Sequence, residues 1–149
     1  MKKHPTRLKQ LYKTPPSYFL TFCTEGRVNV LANKTIAERM RIFAEGSMDR
    51  YGLFVYCYLL MPEHLHIIVT SALTNEVRLG EWVKALKRFV GESDFKWQRG
   101  FFDHVLRSDE SRSQKWEYIR MNPVRAGLVE HPEDWPYSGF YDPLTGERL

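Results

Sequence analysis

An α+β fold is predicted by three features of the sequence. Segments rich in aromatic and β-branched residues alternate with segments whose apolar residues recur at helical spacing. Two apolar runs, 53–60 and 64–70, are separated by Pro62, which cannot sit inside a central strand and so marks a joint between two strands. The composition, 43% hydrophobic and 27% charged over 149 residues, is that of one globular domain with a substantial core.

The predicted elements follow the order β-α-β-β-α-β, with one further helix behind them. Strands are expected at 17–24, 53–60, 64–70 and 101–107. Helices are expected from a cap at Asn33 or Thr35 to about Met48, from Asn75 to Val90, and from Ser108 or Asp109 to Met121, with at most one short helix near 132–140. This order is typical of a ferredoxin-like antiparallel sheet, which carries helices on one face and leaves the other face for a ligand. Residues 1–16 form a basic arm, and residues 17–149 form the single domain.

Two histidines stand at the start of the third predicted strand. Side chains alternate between the faces of a strand, so His64 and His66 share one face. Leu65, Ile67 and Val69 then point the other way, into a core beneath the helices. Two imidazoles at this spacing can bind one divalent metal ion. The alternative is a pair of solvated or core-bonded histidines.

A tyrosine and an asparagine lie four residues apart near the end of the last predicted helix. Helical geometry places Tyr118 and Asn122 on one face. A phenol can act as a covalent nucleophile, and an amide oxygen is a ligand suited to Mg²⁺ or Mn²⁺. The alternatives are a half-buried packing tyrosine and an asparagine that belongs to the turn before Pro123. His104 is a candidate base for the phenol, although a structural role is the stronger interpretation.

The charge of the chain favours an acidic partner. The net charge is +4 and the isoelectric point is about 9.1, which is compatible with nucleic acid. Seven basic residues of the predicted helices and their flanks are candidates for contacts with phosphates: Lys84, Lys87, Arg88, Arg112, Lys115, Arg120 and Arg125.

The predicted environment of the chain is a reducing, cytoplasmic one. The two cysteines, Cys23 and Cys57, lie far apart in apolar stretches and are expected to be buried free thiols. No apolar segment of the secretory type follows the basic N-terminus, and no run approaches the ~20 apolar residues of a membrane span.

Three segments resemble one known family, and they keep its order across about residues 17–141. MPEHLHIIV at 61–69 resembles the His-hydrophobic-His signature of the HUH single-strand transposases. YIRMNPVRAGLVEHPEDWPYSGF at 118–140 resembles the C-terminal signature of their REP-associated tyrosine transposase branch. WQRGFFDHVLR at 97–107 resembles the segment between these two. Glu63 departs from the asparagine that commonly precedes the first histidine.

The resemblance implies a metal-dependent enzyme that cleaves and rejoins single-stranded, hairpin-bearing DNA. It implies Tyr118 as the nucleophile that forms a 5′-phosphotyrosine, and His64, His66 and Asn122 as ligands of Mg²⁺ or Mn²⁺. Both monomers and dimers occur among relatives, and the resemblance to this branch favours a monomer. One alternative is a domesticated protein that binds repeat hairpins without completing transposition. Another is an unrelated RNA-binding domain, although the chain lacks the RNP signature of that class.

Overall fold

A five-stranded antiparallel sheet forms the centre of the computed structural model, which describes residues 16–71, 79–91 and 94–149. The strands are β1 (Ser17–Cys23), β2 (Leu53–Leu60), β3 (His64–Ser71), β4 (Phe102–Leu106) and β5 (Ser138–Phe140). Their order across the sheet is β4-β1-β3-β2-β5, and each neighbouring pair is antiparallel. The predicted α+β class and the order of its elements are confirmed.

Four α-helices are described. They are α1 (Lys34–Tyr51), α2 (Leu79–Gly91), α3 (Asp109–Arg120) and the short α4 (Asn122–Arg125). The predicted start of α2 at Asn75 lies outside the described residues, as do residues 1–15 of the predicted basic arm. Among the described residues, no helix is long and apolar enough to cross a membrane.

Local side-chain chemistry sets the ends of the helices. The side-chain oxygen of Asn33 accepts a hydrogen bond from the backbone N–H of Ile36 at 2.9 Å, which caps α1. This helix runs past the expected end near Met48 and stops where Gly52 adopts a left-handed φ of 72°. Ser108 caps α3 through a reciprocal pair of hydrogen bonds with Ser111.

The segment expected to hold a short helix near 132–140 forms a short 3₁₀ helix at Pro132–Asp134, and the strand β5 follows it. The sequence did not predict β5, because the strand is only three residues long, too short for an alternating pattern to be visible. Gly139 is required in this strand, since a Cβ there would come within 2.5 Å of the Tyr58 ring. The strand therefore depends on close packing against β2 rather than on its own pattern.

The two faces of the sheet have different cores. Helices α1 and α2 cover one face, where Leu65, Ile67 and Val69 of β3 are fully buried, as predicted. Helix α3 covers part of the opposite face, where Trp116 and Ile119 pack in a second cluster that includes Ile68. The face expected to be open is thus partly closed, and the histidines lie beside this second core.

A β-bulge in β2 helps to build the second core. Val55 pairs with Val69 and Cys57 pairs with Ile68, so Tyr56 is an extra residue in the strand. The bulge turns both Tyr56 and Cys57 toward α3. Cys57 is fully buried and Cys23 nearly so, and both are free thiols, as expected from the sequence.

A buried hydrogen-bond relay fixes α1 to α2 and to β2. The hydroxyl of Ser47 accepts from Trp82 Nε1 at 2.8 Å and donates to the Leu53 carbonyl at 2.6 Å. Both Ser47 and Trp82 have no exposed surface. Removal of the hydroxyl would leave two buried polar groups without partners.

We expect Ser47→Ala to lower the free energy of unfolding by about 1–3 kcal/mol, the cost of such unsatisfied groups. The measurement is urea denaturation followed by circular dichroism. Ser113→Ala, a change at an exposed position of α3, is the matched control and should have little effect. Equal stability of Ser47→Ala and the wild-type chain would contradict the role of the relay.

Candidate active site

The two histidines lie on the α3 side of the sheet, at the start of a central strand. In the register of β1 and β3, Thr21 pairs with His66 and Cys23 pairs with His64. The two imidazole rings are 4.6 Å apart between centroids. The strand period therefore brings both side chains to one place, as the sequence predicted.

Both rings are held at the Nδ1 nitrogen. Glu63 Oε1 lies 3.2 Å from Nδ1 of His64, and Thr21 Oγ1 lies 2.9 Å from Nδ1 of His66. A carboxylate can only accept, so His64 donates through Nδ1–H and presents a lone pair at Nε2. A second residue, Arg27, lies 3.5 Å from the other Glu63 oxygen. The unusual Glu63 therefore orients His64.

Both histidines are neutral near pH 7. Burial lowers the pKa of His64, and the neighbouring Glu63 carboxylate opposes this shift only in part. Burial lowers the pKa of His66 to about 3, together with repulsion from His64 when that ring is protonated and from the positive charges of Lys115 and Arg125. The neutral imidazole is the form that binds metals.

Tyr118 and Asn122 lie on two consecutive helices rather than on one. Tyr118 is in the last turn of α3, and Asn122 is the first residue of α4, with Met121 between the two helices. The helix predicted from Ser108 or Asp109 to Met121 is found at Asp109–Arg120. The expectation that one helix carries both Tyr118 and Asn122 is corrected, because Pro123 has no N–H to continue the hydrogen-bond ladder. Met121 keeps helical backbone angles, φ −86° and ψ −5°, so the chain turns only slightly here.

Arg125 connects the tyrosine and the asparagine. Its guanidinium donates to the Tyr118 carbonyl at 2.7 Å and also to Asn122 Oδ1. The same guanidinium lies over the Tyr118 ring, 4.1 Å from its centroid. The Tyr118 side chain is 61% exposed, so the ring is accessible to a large substrate despite these contacts.

A chain of contacts joins the tyrosine to the histidines. The Lys115 ammonium lies 5.7 Å from the centroid of Tyr118 and 5.0 Å from that of Phe19. The Phe19 ring is in turn 5.3 Å from the His66 ring. The helix-borne nucleophile candidate and the strand-borne histidines are therefore parts of one surface.

A cleft of about 490 Å³ completes this surface. His64 and Glu63 line one side, and Asn122 and Arg125 line another. The cleft is thus the place where the β3 imidazole and the α4 amide meet. The resemblance of the sequence implied that these two residues share one site, and the packing of α3 and α4 on the sheet brings them to one cleft.

The donor set of this cleft fits a divalent cation. The site would supply two neutral imidazoles, with the Asn122 amide oxygen lining the same cleft as His64. The Nδ1 hydrogen bonds of both rings are the kind of outer contact that orients metal-binding histidines. In the described part of the chain, no group of three or more His, Cys, Asp or Glu side chains forms a metal cluster. A third protein ligand beside the two imidazoles would therefore be of another type, such as the amide of Asn122.

The predicted phosphate contacts divide between the two sides of the sheet. On the side of the histidines lie Arg112, Lys115, Arg120 and Arg125, carried by α3 and α4. On the opposite side, α2 carries Lys84, Lys87 and Arg88. Lys87 is engaged within the fold, since its ammonium donates to the carbonyls of Gln98 and Gly100 at 3.2 and 3.1 Å.

Arg112 is also held by the fold, and it helps to position α3. Its guanidinium lies 4.4 Å from the centroid of Tyr56, the bulged residue of β2. It also forms an ion pair with Asp109 at 3.2 Å. His104, the candidate base, is exposed on β4 and pairs across the sheet with Phe19. Its contact with the phenol stays a prediction.

Two curated proteins are similar to the chain. A REP-associated tyrosine transposase of Escherichia coli K12 is 30% identical over 89 residues, which cover 58% of this chain and 54% of the relative. The match thus spans about half the length of that relative. A protein of Haemophilus influenzae Rd, which carries the same name provisionally, is 26% identical over 150 residues, covering 87% of this chain and 82% of the relative. No protein-family model matches the chain.

Two solved structures share the fold. A REP-associated tyrosine transposase bound to a REP hairpin superposes with a TM-score of 0.67 at 21% identity, covering 93% of this chain and 82% of that one. A Deinococcus radiodurans R1 protein, described provisionally as a transposase, superposes with a TM-score of 0.51 at 20% identity, covering 80% of this chain and 95% of that one.

The fold and its relatives place the chain in the class of transposase-like α+β proteins. Within that class, the chain is similar to REP-associated tyrosine transposases, the name carried by the Escherichia coli relative, given provisionally to the Haemophilus influenzae relative, and carried by one of the two solved structures.

Proposed function

We propose that this chain cleaves and rejoins single-stranded DNA through a covalent bond to Tyr118. The observation that carries the proposal is the cleft in which His64 and Asn122 meet, one helical turn from an exposed tyrosine. Packing alone does not require an imidazole and an amide to line one cleft, with the ring of His66 4.6 Å from that of His64 and an exposed phenol on the preceding helix. The names of both curated relatives support the same class of reaction.

The residues proposed to hold a Mg²⁺ or Mn²⁺ ion are His64, His66 and Asn122. Such an ion, when bound, polarises a phosphate and orients it for attack. Within the protein, Glu63 and Thr21 fix the two imidazoles through their Nδ1 atoms. Binding of the ion would require Asn122 to share its oxygen with Arg125 or to release that residue.

Tyr118 is the proposed nucleophile. Its phenolic oxygen forms a bond to phosphorus as the bond from phosphorus to the 3′ oxygen breaks. The phenol loses its proton and the departing 3′ oxygen gains one, so that a 5′-phosphotyrosine and a 3′ hydroxyl result. Attack by a 3′ hydroxyl on the phosphotyrosine reverses the exchange and releases the phenol. The bond energy is retained throughout, so the exchange needs no nucleotide cofactor.

Cations around Tyr118 are placed to receive the phosphate. Arg125 and Lys115 both contact the tyrosine ring, and their charges offset that of a phosphate brought to the phenol. Arg120 lies at the end of the same helix, where it is partly engaged by Glu117 at 3.4 Å. The backbone of the DNA is thus proposed to follow α3 and α4 rather than α2.

The proposed substrate is single-stranded DNA that carries a hairpin. The support is one solved structure of the same fold, which is a transposase bound to a REP hairpin. The proposed assembly is a monomer, in which Tyr118 and the histidines of one chain form one site. The support for a monomer is the resemblance of the sequence to the REP-associated branch.

The first prediction from this proposal concerns the metal. The wild-type chain should bind Mn²⁺ at one site, whereas His64→Ala/His66→Ala should lose this binding because both imidazole ligands are gone. The measurement is titration calorimetry on DNA-free protein, with circular dichroism to confirm folding. His104→Ala is the control, since His104 lies on an edge strand outside the proposed ligand set. Equal Mn²⁺ affinity in the double variant and the wild type would refute the ligand assignment.

The second prediction concerns the nucleophile. Tyr118→Phe should abolish the covalent adduct with a labelled hairpin oligonucleotide while it leaves folding and hairpin binding largely intact, because only a hydroxyl is removed. Denaturing electrophoresis with Mn²⁺ and with chelator measures the adduct. Tyr51→Phe removes a hydroxyl on the other side of the sheet and should leave the adduct unchanged.

An undiminished adduct in Tyr118→Phe would exclude this tyrosine. Hairpin binding without an adduct, across oligonucleotides that vary the flanking single strand, would favour the alternative of a domesticated hairpin-binding protein. Comparison of Tyr118→Phe with Tyr51→Phe, across oligonucleotides that vary the flanking single strand, distinguishes loss of DNA cleavage from loss of hairpin binding.

A further inference from the structure

A second concave surface lies on the side of the sheet away from the histidines. It is a groove of about 270 Å³ between α1 and α2, called here the helical groove and lined in part by Ile42, Phe43, Tyr51 and Phe89. Small-molecule sites commonly measure about 300–1,000 Å³. The helical groove is smaller, and its size suits one or two amino-acid side chains.

The apolar lining of the groove remains accessible to solvent. Phe43 forms the base, and its ring lies 5.9 Å from that of Tyr51 and 6.2 Å from that of Phe89. Tyr51 is 39% exposed, Ile42 48% and Phe89 44%. Exposed apolar and aromatic side chains gathered around one depression are typical of an interaction surface.

A glycine keeps this groove open. Gly46 lies inside α1, where glycine costs about 1 kcal/mol of helix stability relative to alanine. A Cβ at this position would meet only the Nε atom of Arg50, at 3.8 Å. Packing against the protein core therefore does not require glycine here. A larger side chain at Gly46 would instead occupy the groove.

Two arginines flank the apolar lining. Arg50 and Arg88 both line the groove, each in the last turn of its helix. Among the residues that the structure describes, neither guanidinium has an ion-pair partner. Basic residues in the last turn of a helix are favoured by the helix dipole, which accounts for their charge but not for their position around an apolar groove. The combination is complementary to an apolar side chain with acidic neighbours.

Single-stranded DNA fits this groove less well than a peptide does. The groove lies on the far side of the sheet from Tyr118, so a strand held in the candidate active site does not continue into it. Among the described residues that line the groove, Arg50 and Arg88 are the two cations, and two cations form no continuous track of positive charge. Binding of a strand normally relies on such a track.

We propose that the helical groove binds an acidic peptide segment of another protein, with one apolar or aromatic side chain inserted between α1 and α2. The inserted side chain contacts Phe43 and Phe89, and the acidic residues beside it pair with Arg50 and Arg88. This site is independent of the strand-transfer chemistry proposed for Tyr118, and it would connect the protein to a partner while the opposite face handles DNA.

The test uses the full chain and a fluorescein-labelled synthetic peptide with four consecutive acidic residues followed by leucine and phenylalanine. Fluorescence anisotropy should show saturable binding that weakens with added salt. Arg50→Gln and Arg88→Gln should each weaken it by about fivefold, the scale of one partly exposed ion pair. Lys34→Gln removes the same charge from α1 outside the groove and should leave affinity unchanged.

Two further protein variants and one altered peptide distinguish binding in the helical groove from nonspecific electrostatic attraction. Gly46→Leu should abolish peptide binding by filling the groove, while the melting temperature followed by circular dichroism stays equal or rises, because a helix-interior glycine is removed. A peptide whose leucine and phenylalanine are replaced by serine should not bind. Tyr118→Phe should bind the acidic peptide as well as the wild type does, whatever its effect on DNA cleavage.

Three results would overturn the proposal. They are undetectable binding of the acidic peptide, binding that Gly46→Leu leaves intact in a folded protein, and equal losses in Arg88→Gln and Lys34→Gln. Displacement of the peptide by a single-stranded oligonucleotide in wild type and Tyr118→Phe alike would assign the groove to DNA instead. A dimer in light scattering that Gly46→Leu converts to a monomer would assign it to a second copy of the chain.

Discussion

The packing of α3 on the sheet is the interaction on which the candidate site depends. Trp116 stacks on Phe140 of β5, with ring planes 12° apart, and Ile119 is almost fully buried beside it. These apolar contacts fix the side of the helix that faces the sheet. Tyr118, one position before Ile119, is consequently directed away from the core and toward solvent, in the neighbourhood of the histidines. The burial of Trp116 and Ile119 thus fixes the position of the candidate nucleophile Tyr118, while its own side chain stays exposed.

The sheet contributes to the site through the strict alternation of β3. Leu65, Ile67 and Val69 are buried beneath α1 and α2, and this burial forces His64 and His66 to the opposite face. A slip of one residue in the register would reverse both sets, so the core protects the geometry of the site. Hydrogen bonds at Nδ1 then set the direction of each ring. The apolar core decides the position of the two histidines, and polar contacts decide their orientation.

The sequence was sufficient for features that depend on local periodicity, and insufficient for those that depend on distant contacts. The bounds of β2 and the common face of the histidines followed from alternation, and capping chemistry narrowed the start of α1 to Asn33 or Thr35, of which Asn33 is the cap. The strand β5 escaped notice because its stability comes from Gly139 packing on Tyr58. Thr21 escaped notice because only the β1–β3 register brings it to His66. The split between α3 and α4, and the Arg125 contact with Asn122, likewise required the folded chain.

We propose that β3 and α4 jointly build one metal site beside Tyr118. Anomalous diffraction from crystals of the protein soaked in Mn²⁺ tests this most directly, because it locates the ion independently of activity. We expect one peak bonded to Nε2 of His64, Nε2 of His66 and Oδ1 of Asn122, with Arg125 displaced from the amide or sharing it. A peak bonded to other residues, or one held by the histidines with Asn122 outside the coordination shell, would contradict the proposed site.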